Sequence, residues 1–143
     1  MAKTKTISVA DIEYAAHRLA QETLEWNEPI PDFSTRFPSV LERCVATTFQ
    51  TYARKSLYPG LYHKAAMLFY FMIKNHPFQN GNKRIAMTAT LYFLDKNNKW
   101  LRVDNQELYN FAKWVAESNP KLKDETVAAA EKFFKSYAVD KTN

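Results

Sequence analysis

Residues 76–84 read HPFQNGNKR and join the two most apolar segments of the chain. The segment before them, Leu61–Asn75, is apolar almost all round in its C-terminal half, and residues 82–97 after them form a second apolar run. These patterns predict two central helices, the first of which ends before Pro77. The polar, cationic loop between them would be partly shielded from water, where charges interact more strongly. The stretch therefore predicts both the centre of a helical fold and a place for chemistry.

The rest of the chain extends this pair into an all-α fold. Gly60 and Gly81 are the only glycines, and few segments alternate between polar and apolar residues as strands do. We expect one domain over residues 1–143, a bundle of about six helices with at most a short hairpin. The other four predicted helices run from Ser8 to about Trp26, over residues 39–52, from Asp104 to before Pro120, and over residues 124–137.

Between these helices, residues 27–38 contain three prolines and cannot form a regular helix. Residues 53–60 are predicted to be a connector, and residues 99–103 a short strand. Helical spacing predicts an inner stripe on each of the four outer helices. The stripes contain Val9, Ile12, Ala16, Leu19 and Trp26; Leu41, Val45, Phe49 and Tyr52; Leu108, Phe111 and Val115; and Val127, Ala130, Phe134 and Tyr137.

Composition excludes several classes of protein. A hydrophobic fraction of 46% and a charged fraction of 24% are those of an ordinary folded domain rather than a disordered chain. Cys44 is the only cysteine, so no intrachain disulfide forms and a cytoplasmic location is expected. The longest apolar run, residues 65–73, is far shorter than the ~20 residues of a membrane span. The net charge of +5 suits an anionic partner or simple solubility, but the basic residues are too dispersed to indicate direct nucleic-acid binding.

The start of the fourth predicted helix has an unusual charge distribution. Helix N-termini carry partial positive charge and favour acidic residues, yet this one begins with Asn82, Lys83 and Arg84. Each cation there is unfavourable by ~0.3–1 kcal/mol, and a bound polyanion would reverse the sign. Gly81 permits a backbone conformation that directs successive N–H groups at one anion. The pattern fits a phosphate site, and it also fits an exposed turn whose cations point into water.

His76 lies six residues before that helix start. Near neutral pH an imidazole can accept a proton from a hydroxyl group, and a histidine can equally well serve only to cap the end of a helix. Phe78, between polar neighbours, is predicted to anchor the loop in the core and to have a packing role.

The order and spacing of these residues resemble a family motif. His76-Pro77-Phe78-x-x-Gly81-Asn82-x-Arg84 is similar to the Fic motif His-Pro-Phe-x-(Asp/Glu)-Gly-Asn-Gly-Arg-x-x-Arg. With Lys83 it is closer to the Doc (death-on-curing) branch, whose pattern is His-x-Phe-x-(Asp/Asn)-(Ala/Gly)-Asn-Lys-Arg. The resemblance is sharp over residues 57–94 and includes the Leu-Tyr-Pro sequence at residues 57–59.

The resemblance to the Fic/Doc family implies a fold and an activity. The fold would be the helical Fic core, and the activity would modify a hydroxyl group on a target protein with ATP and Mg²⁺. His76 would deprotonate the hydroxyl, Gly81 and Asn82 would hold phosphate oxygens, and Arg84 would neutralise phosphate charge. In the Doc branch a translation factor is the expected kind of target.

Three positions depart from the Fic pattern. Asn80 replaces an acidic residue that helps to hold Mg²⁺, and its amide oxygen is an uncharged, weaker ligand. Lys83 replaces the second glycine, and in the Doc branch this lysine accompanies a reversed ATP that presents its γ-phosphate. Met87 stands where the second Fic arginine would be. The resemblance thus favours phosphoryl transfer over transfer of AMP.

The same resemblance implies a second protein that restrains the activity. Many Fic proteins inhibit themselves with a helix that carries the motif (Ser/Thr)-x-x-x-Glu-(Gly/Asn). The pair in this chain that is most similar to the motif is Thr126 and Glu131, whose spacing is one residue too long. We therefore expect a Doc-like toxin with a small antitoxin protein in trans.

Three other functions are kept as alternatives. The same site could transfer AMP, and the mass added to the target distinguishes this reaction from phosphorylation. A catalytically silent interaction module, with Asn80 as the sign of lost metal binding, would bind nucleotide without turnover. A basic nucleic-acid-binding domain would show steeply salt-dependent affinity.

Overall fold

The computed structural model describes residues 4–15, 32–52 and 55–141, with no account of the Tyr52 side chain. The described residues confirm the all-α prediction, and none of their helices is long and apolar enough to cross a membrane. The helices are α1 (Val9–Tyr14), α2 (Pro38–Thr48), α3 (Leu61–Asn75), α4 (Asn82–Lys96), α5 (Asn105–Glu117) and α6 (Lys123–Tyr137), with 3₁₀ turns at Phe33–Thr35 and Pro120–Leu122.

Two small antiparallel strand pairs accompany the helices, where the sequence predicted at most one hairpin. Strands β1 (Thr51–Tyr52) and β2 (Lys55–Ser56) pair in the connector before α3. Strands β3 (Lys99–Leu101) and β4 (Ala138–Asp140) pair with Trp100 opposite Val139. The predicted strand at residues 99–103 is confirmed in a shorter form. Its partner strand follows α6 and is distant in the sequence. A pairing between distant segments produces no local pattern by which the sequence could predict it.

The bounds of the first two helices differ from the prediction. The second was predicted over residues 39–52, but α2 begins at Pro38, because a proline is well tolerated in the first turn of a helix. It ends at Thr48, and residues 51 and 52 belong to β1. The predicted first helix is seen only as Val9–Tyr14; its inner positions Ala16, Leu19 and Trp26 lie outside the described residues.

Helices α3 and α4 form the centre of the core. α3 packs against α4, α6, α2 and α5, so it is covered on most sides. The Phe69 ring of α3 meets the Phe134 ring of α6 edge-on, with ring centroids 5.5 Å apart. Because the end of α3 and the start of α4 are both fixed in the core, the loop that joins them is held at its two ends. The fully buried members of the two helices include Ala65, Leu68, Phe69, Met72, Ile73, Ile85, Met87, Phe93 and Leu94.

Candidate active-site loop

His76 follows directly on the last residue of α3 and has a left-handed backbone, with φ 49° and ψ 63°. A residue with a Cβ atom is less stable by about 1–2 kcal/mol in that conformation. The following proline disfavours the helical conformation at His76, so α3 ends here. The turn leaves His76 exposed beside Pro77 and Phe78, which are both buried. Backbone strain of this kind clusters at functional sites.

Phe78 anchors the loop, as the sequence predicted. Its side chain is only 1% exposed, and its ring centroid lies 5.7 Å from that of Phe33. The carbonyl of Pro77 accepts a hydrogen bond from the backbone N–H of Phe37 at 2.8 Å. Residues 33–37 therefore support the loop from outside. Their contacts are long-range, so no local pattern in the sequence could have revealed them.

Asn82 closes the loop from within. Its Oδ1 accepts a hydrogen bond from the backbone N–H of Phe78 at 3.0 Å, and its Nδ2 donates to the carbonyl of Phe78 at 2.8 Å. The same Nδ2 lies 3.4 Å from Nδ1 of His76. Asn82 was predicted to hold phosphate. In the structure its side chain also fixes the loop and contacts the imidazole.

The N-terminal end of α4 has no acidic residue in its first turn and no side-chain cap. Gly81 is the N-cap residue, with φ 70° and ψ 13°, a conformation that favours glycine. Its carbonyl accepts the N–H of Ile85 at 2.9 Å. A helix end of this kind carries partial positive charge and favours a bound anion.

The remaining predicted site residues flank this helix end. Asn80 is exposed in the loop, while Lys83 and Arg84 are half-buried in the first turn of α4. The structure therefore brings His76, Asn80, Gly81, Asn82, Lys83 and Arg84 together in one short loop and one helical turn.

A concavity lies outside this loop. The β3–β4 cleft, as we call it, has a volume of about 780 Å³. Its described lining contains no residue of the stretch 76–84 and consists of Trp100, Leu101, Arg102, Val103, Asp104, Val139, Asp140 and Lys141. Asp140, at the edge of this cleft, forms an ion pair with Lys99. The residues that the sequence predicted for acid–base chemistry and anion binding lie in the loop, so we place the candidate active site there.

A family comparison agrees with this geometry. The model of the Fic/DOC family matches residues 6–94, which is more than half of the chain. The chain belongs to the Fic/DOC family. Members of this family are typically transferases that modify proteins. No curated protein and no solved structure matches the chain.

Two departures from the Fic motif have a clear structural setting in this Fic/DOC domain. Lys83 stands where the motif has a glycine, and it lies in the regular first turn of α4. Among the described non-glycine residues, positive φ angles occur only at His76 and Asn98, so this backbone does not need a glycine at position 83. Met87, at the place of the second Fic arginine, is fully buried. An arginine there would bury a charge, which is unfavourable without a partner.

The β1–β2 hairpin occupies the connector before α3. Thr51 pairs with Ser56, and the backbone N–H of Leu57 donates to the carbonyl of Gln50 at 2.8 Å. Leu57 is 47% exposed, so the hairpin presents an apolar side chain to solvent at its base. A two-residue ladder of this kind leaves outer backbone groups able to pair with a further strand.

Proposed function

We propose that this Fic/DOC protein transfers the γ-phosphate of ATP to a hydroxyl group of a target protein. The observation that carries the proposal is the loop itself, which sets an exposed imidazole beside the start of α4, where the first turn has two basic residues and no acidic one. His76 supplies a proton acceptor, and Lys83 and Arg84 supply positive charge within one helical turn. A proton acceptor next to an anion site is what phosphoryl transfer to a hydroxyl group requires.

In the proposed reaction, His76 accepts the proton of the target hydroxyl. The hydroxyl oxygen forms a bond to the γ-phosphorus as the bond to the bridging oxygen breaks, and ADP leaves. Arg84 and the first-turn N–H groups of α4 balance the negative charge that develops on the phosphate oxygens. Because the reacting groups lie between α3 and α4, which pack against each other in the core, the rigid core provides much of the alignment.

Mg²⁺ fits the proposal through Asn80. Its amide oxygen is a hard ligand on the exposed part of the loop, and Mg²⁺ bound with nucleotide takes one or two protein ligands and completes its shell with phosphate and water. When bound, the ion would neutralise charge on the phosphates.

Lys83 supports phosphoryl transfer over transfer of AMP. Lys83 puts a long side chain in the first turn of α4, where the glycine of the Fic motif would leave space for a nucleotide. In the Doc branch, which carries this lysine, the nucleotide is reversed and presents its γ-phosphate to the target.

The proposal includes restraint by a small antitoxin protein. The two residues nearest to a self-inhibitory motif belong to α6, where Thr126 is 3% exposed and donates its hydroxyl hydrogen bond to the carbonyl of Leu122. The hydroxyl group of Thr126 is thus already hydrogen-bonded at the start of its own helix. Purified protein is expected to bind ATP without prior activation, and a self-blocked site in the isolated chain would contradict restraint in trans.

The decisive experiment is intact mass spectrometry of a bacterial lysate incubated with the protein, ATP and Mg²⁺. We expect one protein to gain a single phosphate, and His76→Ala to abolish the gain. His63→Ala is the matched control, because His63 lies in the first turn of α3, at the end far from His76, and faces Tyr58 with ring centroids 5.4 Å apart. Gain of AMP would replace the proposal with AMP transfer. No change that depends on His76 would indicate a silent binding module.

A further inference from the structure

A small pocket lies between α2 and α3, beside the active-site loop. It has a volume of about 90 Å³ and is lined by Val40, Arg43, Cys44, Thr47, Phe71 and Asn75. We call it the α2–α3 pocket. Two connections place it next to His76. Asn75 directly precedes His76 in the chain, and Val40 is bonded through its N–H to the carbonyl of Phe37, whose own N–H donates to the carbonyl of Pro77.

The interior of this pocket is apolar. Cys44 is only 3% exposed, and burial raises the pKa of its thiol to about 11, so the thiol stays protonated at neutral pH. A protonated, buried cysteine behaves as a small apolar group. Val40 and Phe71 are half-buried and add apolar surface, while Arg43 and Asn75 are the exposed members of the lining. An apolar interior with polar groups around it is typical of a binding site.

The size of the pocket limits what it can hold. Sites for drug-sized molecules have volumes of about 300–1,000 Å³, so a volume of about 90 Å³ is too small for a nucleotide. An apolar cavity of about 150 Å³ holds benzene, and one water takes about 30 Å³. The pocket therefore suits a group smaller than an aromatic ring, such as the branched side chain of a valine, leucine or isoleucine.

We propose that the α2–α3 pocket binds an aliphatic side chain of the target protein, one or two residues from the hydroxyl group that His76 deprotonates. This inference rests on the proposed function. His76 can accept the proton only from a hydroxyl oxygen about 3 Å away, so the residues that flank the hydroxyl must lie against the surface around His76.

The spacing of an extended chain fits this arrangement. Such a chain advances about 3.3 Å per residue, so two residues span about 7 Å. The Cα atoms of Asn75 and His76, as consecutive residues, are about 3.8 Å apart. A side chain close to the hydroxyl can therefore enter the pocket while the hydroxyl lies at His76. Occupation of the pocket would select which hydroxyl group of the target is presented, and would hold it in place for transfer.

The first test changes the target and leaves the enzyme as it is. The target is the protein that gains phosphate in the lysate, and fragment mass spectrometry locates its modified residue. We expect a valine, leucine or isoleucine within two positions of that residue. Its replacement by alanine in the purified target should lower kcat/KM at least about tenfold, because even one missing methylene in an apolar pocket has an effect of that size. The loss should appear in KM, since the side chain binds equally before and during transfer.

The second test fills the pocket from the enzyme side. Thr47→Phe adds a ring to the half-buried lining, and Ala46→Phe adds the same ring at the adjacent exposed position of α2, outside the lining. Thr47→Phe is expected to raise KM for the target about tenfold or more, and Ala46→Phe to leave it unchanged. Binding of adenylyl imidodiphosphate with Mg²⁺, measured by calorimetry, should be the same in both variants. If Thr47→Phe does not fold or loses nucleotide binding, the alanine variant of the target decides.

The outcomes separate the pocket from the proposed function. No transfer to any protein by the wild-type enzyme would overturn both. Transfer with an unchanged KM for the alanine variant of the target, or a target with no aliphatic residue within two positions, would overturn the pocket alone. Thr47→Phe should add little to the loss seen with the alanine variant, because both changes remove the same contact. Fully additive losses would mean that the aliphatic side chain binds elsewhere.

Discussion

The active-site loop and the β3–β4 cleft differ in what they hold. The cleft encloses about 780 Å³, yet it is built on a short strand pair, and its edge carries an ion pair between Lys99 and Asp140. The loop is a single turn of chain, and the first turn of the helix that follows it contains no acidic residue. The difference teaches that volume alone does not mark a reactive site. What marks the loop is an exposed imidazole beside a helix end whose first turn contains no acidic residue.

The comparison is tested most strongly by removing one arginine from each region. Arg84→Ala is expected to lower the rate of phosphate transfer by about 10²–10³-fold, because it removes a donor that stabilises charge in the transition state. Arg102→Ala removes an exposed arginine from the β3–β4 cleft and should leave the rate unchanged. Initial rates on the target identified by mass spectrometry measure both. Comparable losses in the two variants would show that the cleft takes part in the reaction.

The next contrast concerns stability. Phe78→Ala removes a fully buried ring and is expected to lower the free energy of unfolding by about 3–5 kcal/mol. Val139→Ala, in the half-buried lining of the cleft, should cost below about 1 kcal/mol. Urea unfolding followed by circular dichroism measures both values. A small effect at Phe78 would mean that the loop is not anchored through this ring.

The sequence predicted those parts of the fold whose signals are local. α3 has the predicted bounds, because its apolar run is continuous and Pro77 stops it. The anchor at Phe78 and the position of Lys83 in the first turn of α4 also follow from neighbouring residues. Hydrophobic period, proline and glycine act over a few residues, so they can be recognised in an isolated sequence.

The parts that the sequence did not predict depend on distant contacts. β4 forms only because β3 lies beside it, and residues 33–37 support the loop through Phe33 and Phe37. The contact between Asn82 and His76 depends on the left-handed turn at residue 76, which composition does not specify. Pro38 was read as a helix breaker, although it begins α2, because proline disrupts a helix interior and not its first turn.

A smaller effect is expected from the charge of the loop. Asn80→Asp restores the acidic ligand of the Fic motif and should lower the Mg²⁺ concentration needed for half-maximal transfer by about one order of magnitude. Gln79→Glu adds the same charge at the adjacent exposed residue and should have a weaker effect, because it does not supply the ligand position. Mg²⁺ titrations of the initial rate distinguish them. Equal shifts in both variants would indicate a general charge effect, without coordination by residue 80.

The smallest expected effect concerns the ion pair at the edge of the β3–β4 cleft. The hydrogen bond and charge of Lys99 lower the pKa of Asp140, and the same contacts raise the pKa of Lys99. Because its pKa is lowered by folding, the Asp140 carboxylate stabilises the fold at any pH above the pKa that it has in the unfolded chain. That contribution is lost as pH falls through the pKa of Asp140 in the folded protein. The pKa of Lys99 is raised in the folded protein, so this lysine stabilises the fold at any pH below its pKa in the unfolded chain. That contribution is lost as pH rises through the pKa of Lys99 in the folded protein. The pair therefore favours the strand contact across the neutral range.

Both groups face solvent, so salt should weaken this pair readily. In Lys99→Gln, or in wild-type protein at high salt, the pKa of Asp140 is expected to rise toward its ordinary value, as followed by carboxyl carbon NMR. Lys96→Gln is the matched control, because Lys96 lies 3.5 Å from Asp11 on α1 and should leave Asp140 unchanged. A pKa of Asp140 that stays low without Lys99 would mean that the cleft contains another source of positive potential. The cleft would then offer an anion a site of its own, and the contrast with the loop would no longer hold.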